Sequence, residues 1–584
     1  MRRRLALFVA TLLALAAPAG AVSPPAVEGG RGMVVTANRL ASEVGAEILR
    51  AGGNAVDAAV AVGYALAVVD PCCGNIGGGG FLLFRRADGE ARFLDFRETA
   101  PAAAHRDMYL DASGAVVKGA SLDGWRASAV PGTVAGLEDA RTRWGRLPRA
   151  AVMAPAIRLA RDGFVLTRAD ADILARGAPR LARDPEAARL FLKPDGKPLA
   201  PGDRLVQSDL AATLEAISSG GGDAFYRGPI AAAVAKAMAA HAGTLTVDDF
   251  AAYWAKERDP VRCSYRGHEV LSAPPPSSGG LTLCLMLNIL EGWDLRASGW
   301  HSALSVHRMV ETMRHAYLDR NTLLGDPDVV AIPTERLLSK DYAAVLRARI
   351  EARGVEPTDR LAADPAPHEK PETTHYSIVD ADGNAVAVTY TINGLFGAGV
   401  VAPGTGFLLD DEMDDFTVKP GAANLFGLVQ GSRNAIAPGK RPLSSMAPTI
   451  VARDGRLFLV LGSPGGSRIP TTVLETIVNV VDFRMRPREA VDAPRLHHQA
   501  QPDEVFHEPF ALSADTAEKL RAMGYDLVEQ SPWGATALIE VPPATASAAA
   551  PTSGNDAALS GALLPGRIYG AEDDRRPAGA AAAE

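Results

Sequence analysis

Cysteine is scarce: Cys72, Cys73, Cys263 and Cys284 are the only four in 584 residues. That excludes a disulfide-stapled scaffold, and no CxxC or His-rich spacing points to zinc. Aromatic residues make up only 6% of the chain. No long basic block occurs and the net charge is −8, so the electrostatic footprint of a nucleic-acid binder is missing. The 57 glycines and 41 prolines show no G-x-y period, which excludes a collagen-like chain. With 47% hydrophobic and 22% charged residues, the composition is globular, and the length calls for several domains or one large layered one.

The N-terminus carries an address. Arg2, Arg3 and Arg4 precede an apolar run from Leu5 to Ala17, and Pro18 to Ala21 supplies an A-x-A cleavage pattern. A run of about 13 apolar residues falls short of the roughly 20 that span a bilayer. Residues 1–21 therefore read as a secretory signal peptide, with a mature chain beginning at Val22, exported to the periplasm or the medium and without a membrane anchor. In an exported chain Cys263 and Cys284 either pair or remain buried thiols; sequence leaves both readings open. Cys72 and Cys73 are adjacent and are expected not to bridge each other.

Along the chain, Ser42 to Val69 reads as Ala-rich helix broken at Gly52-Gly53-Asn54. Gly77 to Gly80 reads as a flexible tetrad. Phe81 to Phe84 and Arg92 to Phe96 then look like buried strands around a turn at Asp88-Gly89. Residues 130–350 are expected to be mainly helical, with a Pro/Ser/Gly loop at Pro274 to Gly280. Ala352 to Glu372, with four prolines and mixed charge, reads as an exposed linker. After it the texture turns to strand: Thr374 to Asp380 and Ala385 to Thr391 flank Asp382-Gly383, a hairpin signal. A two-residue turn there sets Thr374 opposite Thr391 and carries the Thr391 hydroxyl back beside Thr373 and Thr374. Leu457 to Leu461 leads into the glycine-rich loop Gly462 to Arg468, whose backbone N–H groups suit an anion; it lacks the spacing of a nucleotide P-loop. Pro542 to Leu564 reads as a disordered insertion, and Ala578 to Ala583 as a low-complexity tail.

Five clusters follow one another in the second half: Thr373-Thr374-His375-Tyr376-Ser377, Thr391-Ile392-Asn393, Glu412 to Phe416, Pro442 to Thr449, and Gly465-Gly466. The first half contributes Ala51 to Val60, Gly77 to Phe81, Asp95 to Pro101, Val130 to Leu137, Pro275 to Gly280 and Leu324 to Asp328. Each is weak alone, but the collinear set resembles the gamma-glutamyltranspeptidases, or glutathione hydrolases, of the N-terminal nucleophile hydrolase superfamily, over nearly the whole mature chain.

The resemblance implies an α+β fold, a four-layer αββα sandwich built from two chains after self-cleavage between Glu372 and Thr373. The large chain would be 22–372 and the small chain 373–584, held together as one intertwined domain. It implies Thr373 as nucleophile, oriented by Thr391, with the Gly465 and Gly466 amides as oxyanion hole. Arg97, Ser444 and Ser445 would hold the α-carboxylate of a γ-glutamyl donor, and Asn393, Glu412 and Asp415 its ammonium. The donor would be glutathione or another γ-glutamyl compound, and the acceptor water, an amino acid or a dipeptide. The scheme calls for no metal and no organic cofactor, and His375 is expected to be structural.

Three departures from the family pattern stand out. Asp410 and Asp411 replace two asparagines and add negative charge near the ammonium pocket. Gly394-Leu395 replaces more polar or aromatic residues. Phe426, in a lid-like loop from Gly421 to Asn434, replaces a tyrosine. An acylase for cephalosporin or glutaryl amides, or a poly-γ-glutamate depolymerase, is the rival within the enzymes. A non-catalytic secreted binding protein is the rival outside them, against which the intact Thr373, Thr391 and Gly465-Gly466 set argues.

Overall fold

The computed structural model describes residues 23–353, 355, 358, 373–543 and 563–584. The expected signal peptide, nearly all of the expected linker with Glu372, and most of the expected insertion lie outside the described residues. No helix among the described residues is long and apolar enough to cross a membrane.

Two seven-stranded antiparallel sheets face each other. One runs Ala580–Ala583, Met33–Thr36, Thr374–Val379, Ala385–Thr391, Gly79–Arg85, Ala91–Phe96 and Lys256–Arg258. The other runs Val27–Gly29, Ile568–Glu572, Ala537–Glu540, Arg456–Leu461, Thr449–Arg453, His268–Ser272 and Val261–Tyr265. Strand alternation assigns the faces. Leu82, Phe84, Val386, Val388 and Tyr390 pack with the helices Arg39–Arg50, Ala55–Val69 and Thr133–Trp144. Phe81, Leu83, Ala385 and Ala387 point the other way, into the core shared with the second sheet. Gly279–Leu290 and Ile469–Val481 cover that sheet's outer side. The result is the four-layer αββα sandwich expected from the resemblance.

Both central strands, Thr374–Val379 and Ala385–Thr391, are buried at every residue. The helix Ala55–Val69 is likewise buried throughout its 15 residues, which suits its Ala/Val-rich sequence, apolar on every face. Asn54 and Asp57 form its capping box, satisfying the first amides of a helix end that water cannot reach. His375 lies between the sheets: Nδ1 meets Thr389 Oγ1 at 2.8 Å and Nε2 meets Ser377 Oγ at 3.1 Å. Burial pushes its pKa down to about 3, so it is a neutral packing residue, as expected.

Several local expectations are corrected. The hairpin pairs Thr374 with Tyr390 and Val379 with Ala385, one residue away from the register of a two-residue turn. The connection is instead the three residues Ala381-Asp382-Gly383, closed by Gly383 N–H to the Asp380 carbonyl at 3.0 Å and Asp380 N–H to the Asn384 carbonyl at 3.0 Å. Gly383 sits at φ +86°, the left-handed residue such a loop demands. The Gly77 to Gly80 tetrad is not a flexible joint. A Cβ at Gly78 would lie 2.1 Å from the Thr391 carbonyl and one at Gly80 2.5 Å from that of Thr389, so side-chain-free backbone is what lets these strands approach.

Cys72 and Cys73 are bridged to each other, and Cys263 is bridged to Cys284. The alanine tail forms the strand Ala580–Ala583 against Met33–Thr36. Within the helical stretch 130–350 the strands Lys256–Arg258, Val261–Tyr265 and His268–Ser272 supply the ends of both sheets.

Asp380 pins the hairpin to the helical layer. Its carboxylate accepts from the amides of Asp382 (3.0 Å) and Asn384 (2.9 Å), and from Ala55 N–H at 2.9 Å. Asp380→Ala strands the buried Ala55 donor and frees two loop amides that water can reach, and we expect a loss of about 1–3 kcal/mol, read as a lower urea midpoint. A change within about 0.5 kcal/mol, the usual range for a surface substitution, would remove Asp380 from this role.

Candidate active site

The antiparallel pairing carries one step past Thr374 and Tyr390 to set Thr373 opposite Thr391. Both are buried, 3% exposed each, and their hydroxyl oxygens lie 3.5 Å apart. That is longer than a settled O–H···O bond, as often found where a reactive hydroxyl awaits substrate. Thr391 Oγ1 accepts from Asn393 N–H at 2.8 Å, and Asn393 turns the chain at φ +71°. The Asn393 amide group donates to the Asp411 carbonyl at 3.0 Å. The Thr373 carbonyl accepts from Arg576 Nη2 at 3.3 Å, and Arg576 also pairs with Asp70 at 3.5 Å beside the Cys72–Cys73 bridge.

The second wall comes from the loop between the strand Arg456–Leu461 and the helix Ile469–Val481. Gly465 and Gly466 stand at φ +137° and +55°, where only glycine is at ease. Both are buried, and among the described residues neither amide N–H has a protein acceptor. Two buried donors left without a protein acceptor are chemically suited to an anionic oxygen.

Thr373, Thr391, Arg97, Asn393, Glu412, Asp415, Ser444, Ser445 and Gly466 line one cleft, together with Phe426, Met446 and Ile469. Every residue singled out from the sequence for chemistry or donor binding is thus brought together, except that Gly465 sits one residue back from the lining, and Glu372 lies outside the described residues. Phe426 closes the cleft from the Gly421 to Asn434 loop, its carbonyl accepting from Gln499 Nε2 at 3.1 Å.

The cleft wall is charged and buried. Arg97 is fully buried and ion-paired with Glu98, Glu412 and Asp415. Burial works against its charge, but the three carboxylates hold its pKa above the ordinary arginine value. Glu98 is pushed up to about 7 by burial, with Arg97 opposing; burial also raises Glu412 and Asp415. Ser444 Oγ accepts from Met446 N–H at 3.1 Å, and Ser445 Oγ from Arg320 Nη2 at 2.9 Å.

Arg320 and Glu98 were not singled out from the sequence. Glu98 stands within the Asp95 to Pro101 motif and Arg320 in the stretch expected to be helical, and packing turns both inward.

The two aspartates expected to add negative charge are held differently. Asp410 is fully buried, accepting from the amides of Ala129 and Glu412 at 2.9 Å each, and burial drives its pKa well up. Asp411 accepts from Gly394 N–H at 2.8 Å. Burial raises it to about 8 against the pull of Arg180, 3.6 Å away. Burial thus disfavours the charged form of both.

A carboxyl with a raised folded pKa stabilises the fold fully below its unfolded value, near 3.8, and that stability is lost as pH rises through the folded value. Asp411→Asn keeps an oxygen for Gly394 and cannot ionise. Its urea midpoint should therefore gain on the wild type between pH 5 and pH 8; parallel profiles would contradict the assignment.

A family model described as Gamma-glutamyltranspeptidase matches residues 41–561. The sequence is 50% identical over 561 residues to the glutathione hydrolase proenzyme of Pseudomonas sp. (strain A14), covering 96% of each chain. To the glutathione hydrolase proenzyme of Escherichia coli (strain K12) it is 46% identical over 550 residues, 92% of this chain and 95% of that one. Among solved structures, cephalosporin acylase from Bacillus halodurans superposes with a TM-score of 0.81 at 27% identity, over 97% of this chain and 99% of the other. The match along nearly the whole sequence, with the cleft geometry above, places the chain in the gamma-glutamyltranspeptidase family.

Proposed function

We propose that the protein is a γ-glutamyltransferase and glutathione hydrolase, made as a proenzyme that cuts itself before Thr373. The observation that carries this reading is the cleft itself. A threonine hydroxyl at the end of a central strand faces the same small space as an arginine, two serines and a set of carboxylates, a lining that complements the zwitterionic end of a γ-glutamyl group.

In self-cleavage the Thr373 hydroxyl attacks the carbonyl of Glu372, the peptide bond becomes an ester, and water releases the carboxylate. The products are a large chain, 22–372, and a small chain, 373–584. Thr373 then owns a free α-amine, whose ordinary pKa of about 7.7–8.0 leaves a neutral fraction to act as base.

Catalysis repeats the logic on substrate. The α-amine takes the hydroxyl proton as Thr373 Oγ1 attacks the γ-carbonyl, while Thr391 keeps the hydroxyl aligned. The oxyanion collects the idle amides of Gly465 and Gly466. Losing one donor of this kind lowers turnover by about 10²–10³ in comparable sites. The proton passes to the leaving amine, cysteinylglycine when the donor is glutathione, and a γ-glutamyl ester remains on Thr373. Water resolves it to glutamate; an amino acid or dipeptide resolves it to a new γ-glutamyl amide.

Arg97, Ser444 and Ser445 hold the donor α-carboxylate, where guanidinium and hydroxyl donors fit a planar anion. Asn393, Glu412 and Asp415 accept from its ammonium. The N-terminal pattern over residues 1–21 supports export to the periplasm or beyond.

Likeness to acylases supports a second reading. A glutaryl group lacks the ammonium, however, and the carboxylates around Arg97 would then meet no cationic group on the substrate.

Two measurements test the proposal. Intact mass and N-terminal sequencing should find a fragment beginning at Thr373 in the wild type and an uncut chain in Thr373→Ala. The processed enzyme should turn over γ-glutamyl-p-nitroanilide at least about a hundredfold faster than a glutaryl anilide, a discrimination within reach of a site built around a polar group. The reverse preference would favour the acylase reading, and an uncut wild type the binding-protein one.

A further inference from the structure

Two buried arginines flank the serine pair of the cleft, and their surroundings are opposite. Arg97 is matched by three carboxylates. Arg320, near the end of the helix Ala303–Leu323 and only 1% exposed, has no carboxylate partner among the described residues. Its Nε donates to Ser278 Oγ at 3.1 Å, Nη1 to Asn321 Oδ1 at 3.0 Å and to Gln430 Oε1 at 3.2 Å, and Nη2 to Ser445 Oγ at 2.9 Å. A buried guanidinium facing only neutral acceptors is unfavourable by itself. Burial lowers its pKa to about 10, so it stays charged at neutral pH. Asp415 is near enough to favour that charge but makes no ion pair with it, so a buried cation beside the cleft still has room for an anion that arrives with the substrate.

The hydrogen-bond directions say how the charge is delivered. A hydroxyl has one proton to give. Because Arg320 donates into Ser445 Oγ, that proton is left to be donated, and a cation on the lone-pair side strengthens the donation. Ser278, the second hydroxyl Arg320 holds, fixes the neighbouring residue: its N–H and its Oγ both donate to the Ser444 carbonyl, at 2.8 and 2.6 Å. Gln430 ties the same arginine to the far side of the cleft, its Nε2 donating to the Asp415 carbonyl at 3.3 Å.

We propose that Arg320 is a positioning residue for the donor α-carboxylate, supplying through Ser445 Oγ the positive charge that Arg97, neutralised by its three acids, does not supply alone. The proposal rests on the reading of Ser444 and Ser445 as the carboxylate site. It divides the work between two arginines: Arg97 orders the acids that meet the ammonium, and Arg320 charges the serine side.

The test uses ligands with and without the α-carboxylate on processed enzyme. Inhibition constants are measured for L-glutamate and for 4-aminobutyrate, the same chain lacking that group, together with KM and kcat for γ-glutamyl-p-nitroanilide. Arg320→Met should raise KM and the glutamate constant roughly ten- to a hundredfold, the range for a lost charged hydrogen bond. The 4-aminobutyrate constant and kcat should stay within about threefold, the split of a lost ground-state binding contact. Adding Arg320→Met to Ser445→Ala should weaken glutamate little further, because the charge acts through that hydroxyl.

Equal weakening of both ligands, or additive effects in the double variant, would overturn the proposal and leave Arg320 a packing residue. Should Arg320→Met fail to self-cleave, Arg320→Lys is read by the same two constants: a several-fold loss for glutamate alone supports the proposal, and a matched loss for both defeats it. A wild type that does not turn over γ-glutamyl-p-nitroanilide would instead defeat the functional reading beneath it.

Discussion

Thr373 and Thr391 can meet only while the two central strands keep one register, since a slip of one residue turns either side chain to the opposite face of the sheet. Much of the surrounding structure serves that register. The three-residue loop at Asp380 to Asn384 sets it, and the Asp380 carboxylate ties the loop to the first amide of the helix Ala55–Val69. On the other flank, bare glycine backbone at Gly78 to Gly80 lets the next strand close against Thr389 to Thr391. With helices on one face and a second sheet on the other, neither strand can slide without exposing polar residues to the core or apolar ones to nothing.

Electrostatics organise the space those strands open into. Arg97, Glu98, Glu412 and Asp415 form a buried cluster richer in acid than in base, and burial raises the pKa of each acid in it. Such a cluster is an unfavourable arrangement when empty and a matched one when an ammonium enters. The serine side is its complement, donors backed by the charge of Arg320. On the proposed reading, a head group carrying both charges would meet each half of the cleft with its own opposite, a basis for orientation as well as affinity.

The two parts of the chain on either side of Thr373 are interwoven rather than adjacent. The strands Thr374–Val379 and Ala385–Thr391 lie between Met33–Thr36 and Gly79–Arg85, and the final strand Ala580–Ala583 returns to pair with Met33–Thr36. Arg97, Glu98 and Arg320 precede Thr373 in the chain, while Thr391, Gly465, Gly466, Ser444, Ser445, Glu412 and Asp415 follow it. A break before Thr373 therefore leaves the ladder bonds and both cores in place, which allows a proenzyme to gain a free α-amine without losing its fold.

Much of this was legible in the order of the residues. Short motifs around Thr373, Thr391, Glu412 to Asp415, Ser444-Ser445 and Gly465-Gly466 report a family and its chemistry because each demands particular atoms in particular backbone shapes: a hydroxyl, a paired acid, a glycine where φ is positive. Other features depend on neighbours that sequence does not place. The hairpin slipped by one residue from its expected register because the Asp380 side chain and Gly383 build a three-residue loop where Asp-Gly alone suggests two. The glycine tetrad proved rigid because strands crowd it, and an alanine tail became a strand because Met33–Thr36 offered an edge. Burial raises the pKa of Asp410 and Asp411 against their charge. Residue type alone thus determined which groups were available to react and bind; the tertiary structure decided their titration, their partners and, in Arg320, which cation was left without an ion-paired acid, because those depend on distance and desolvation rather than on order along the chain.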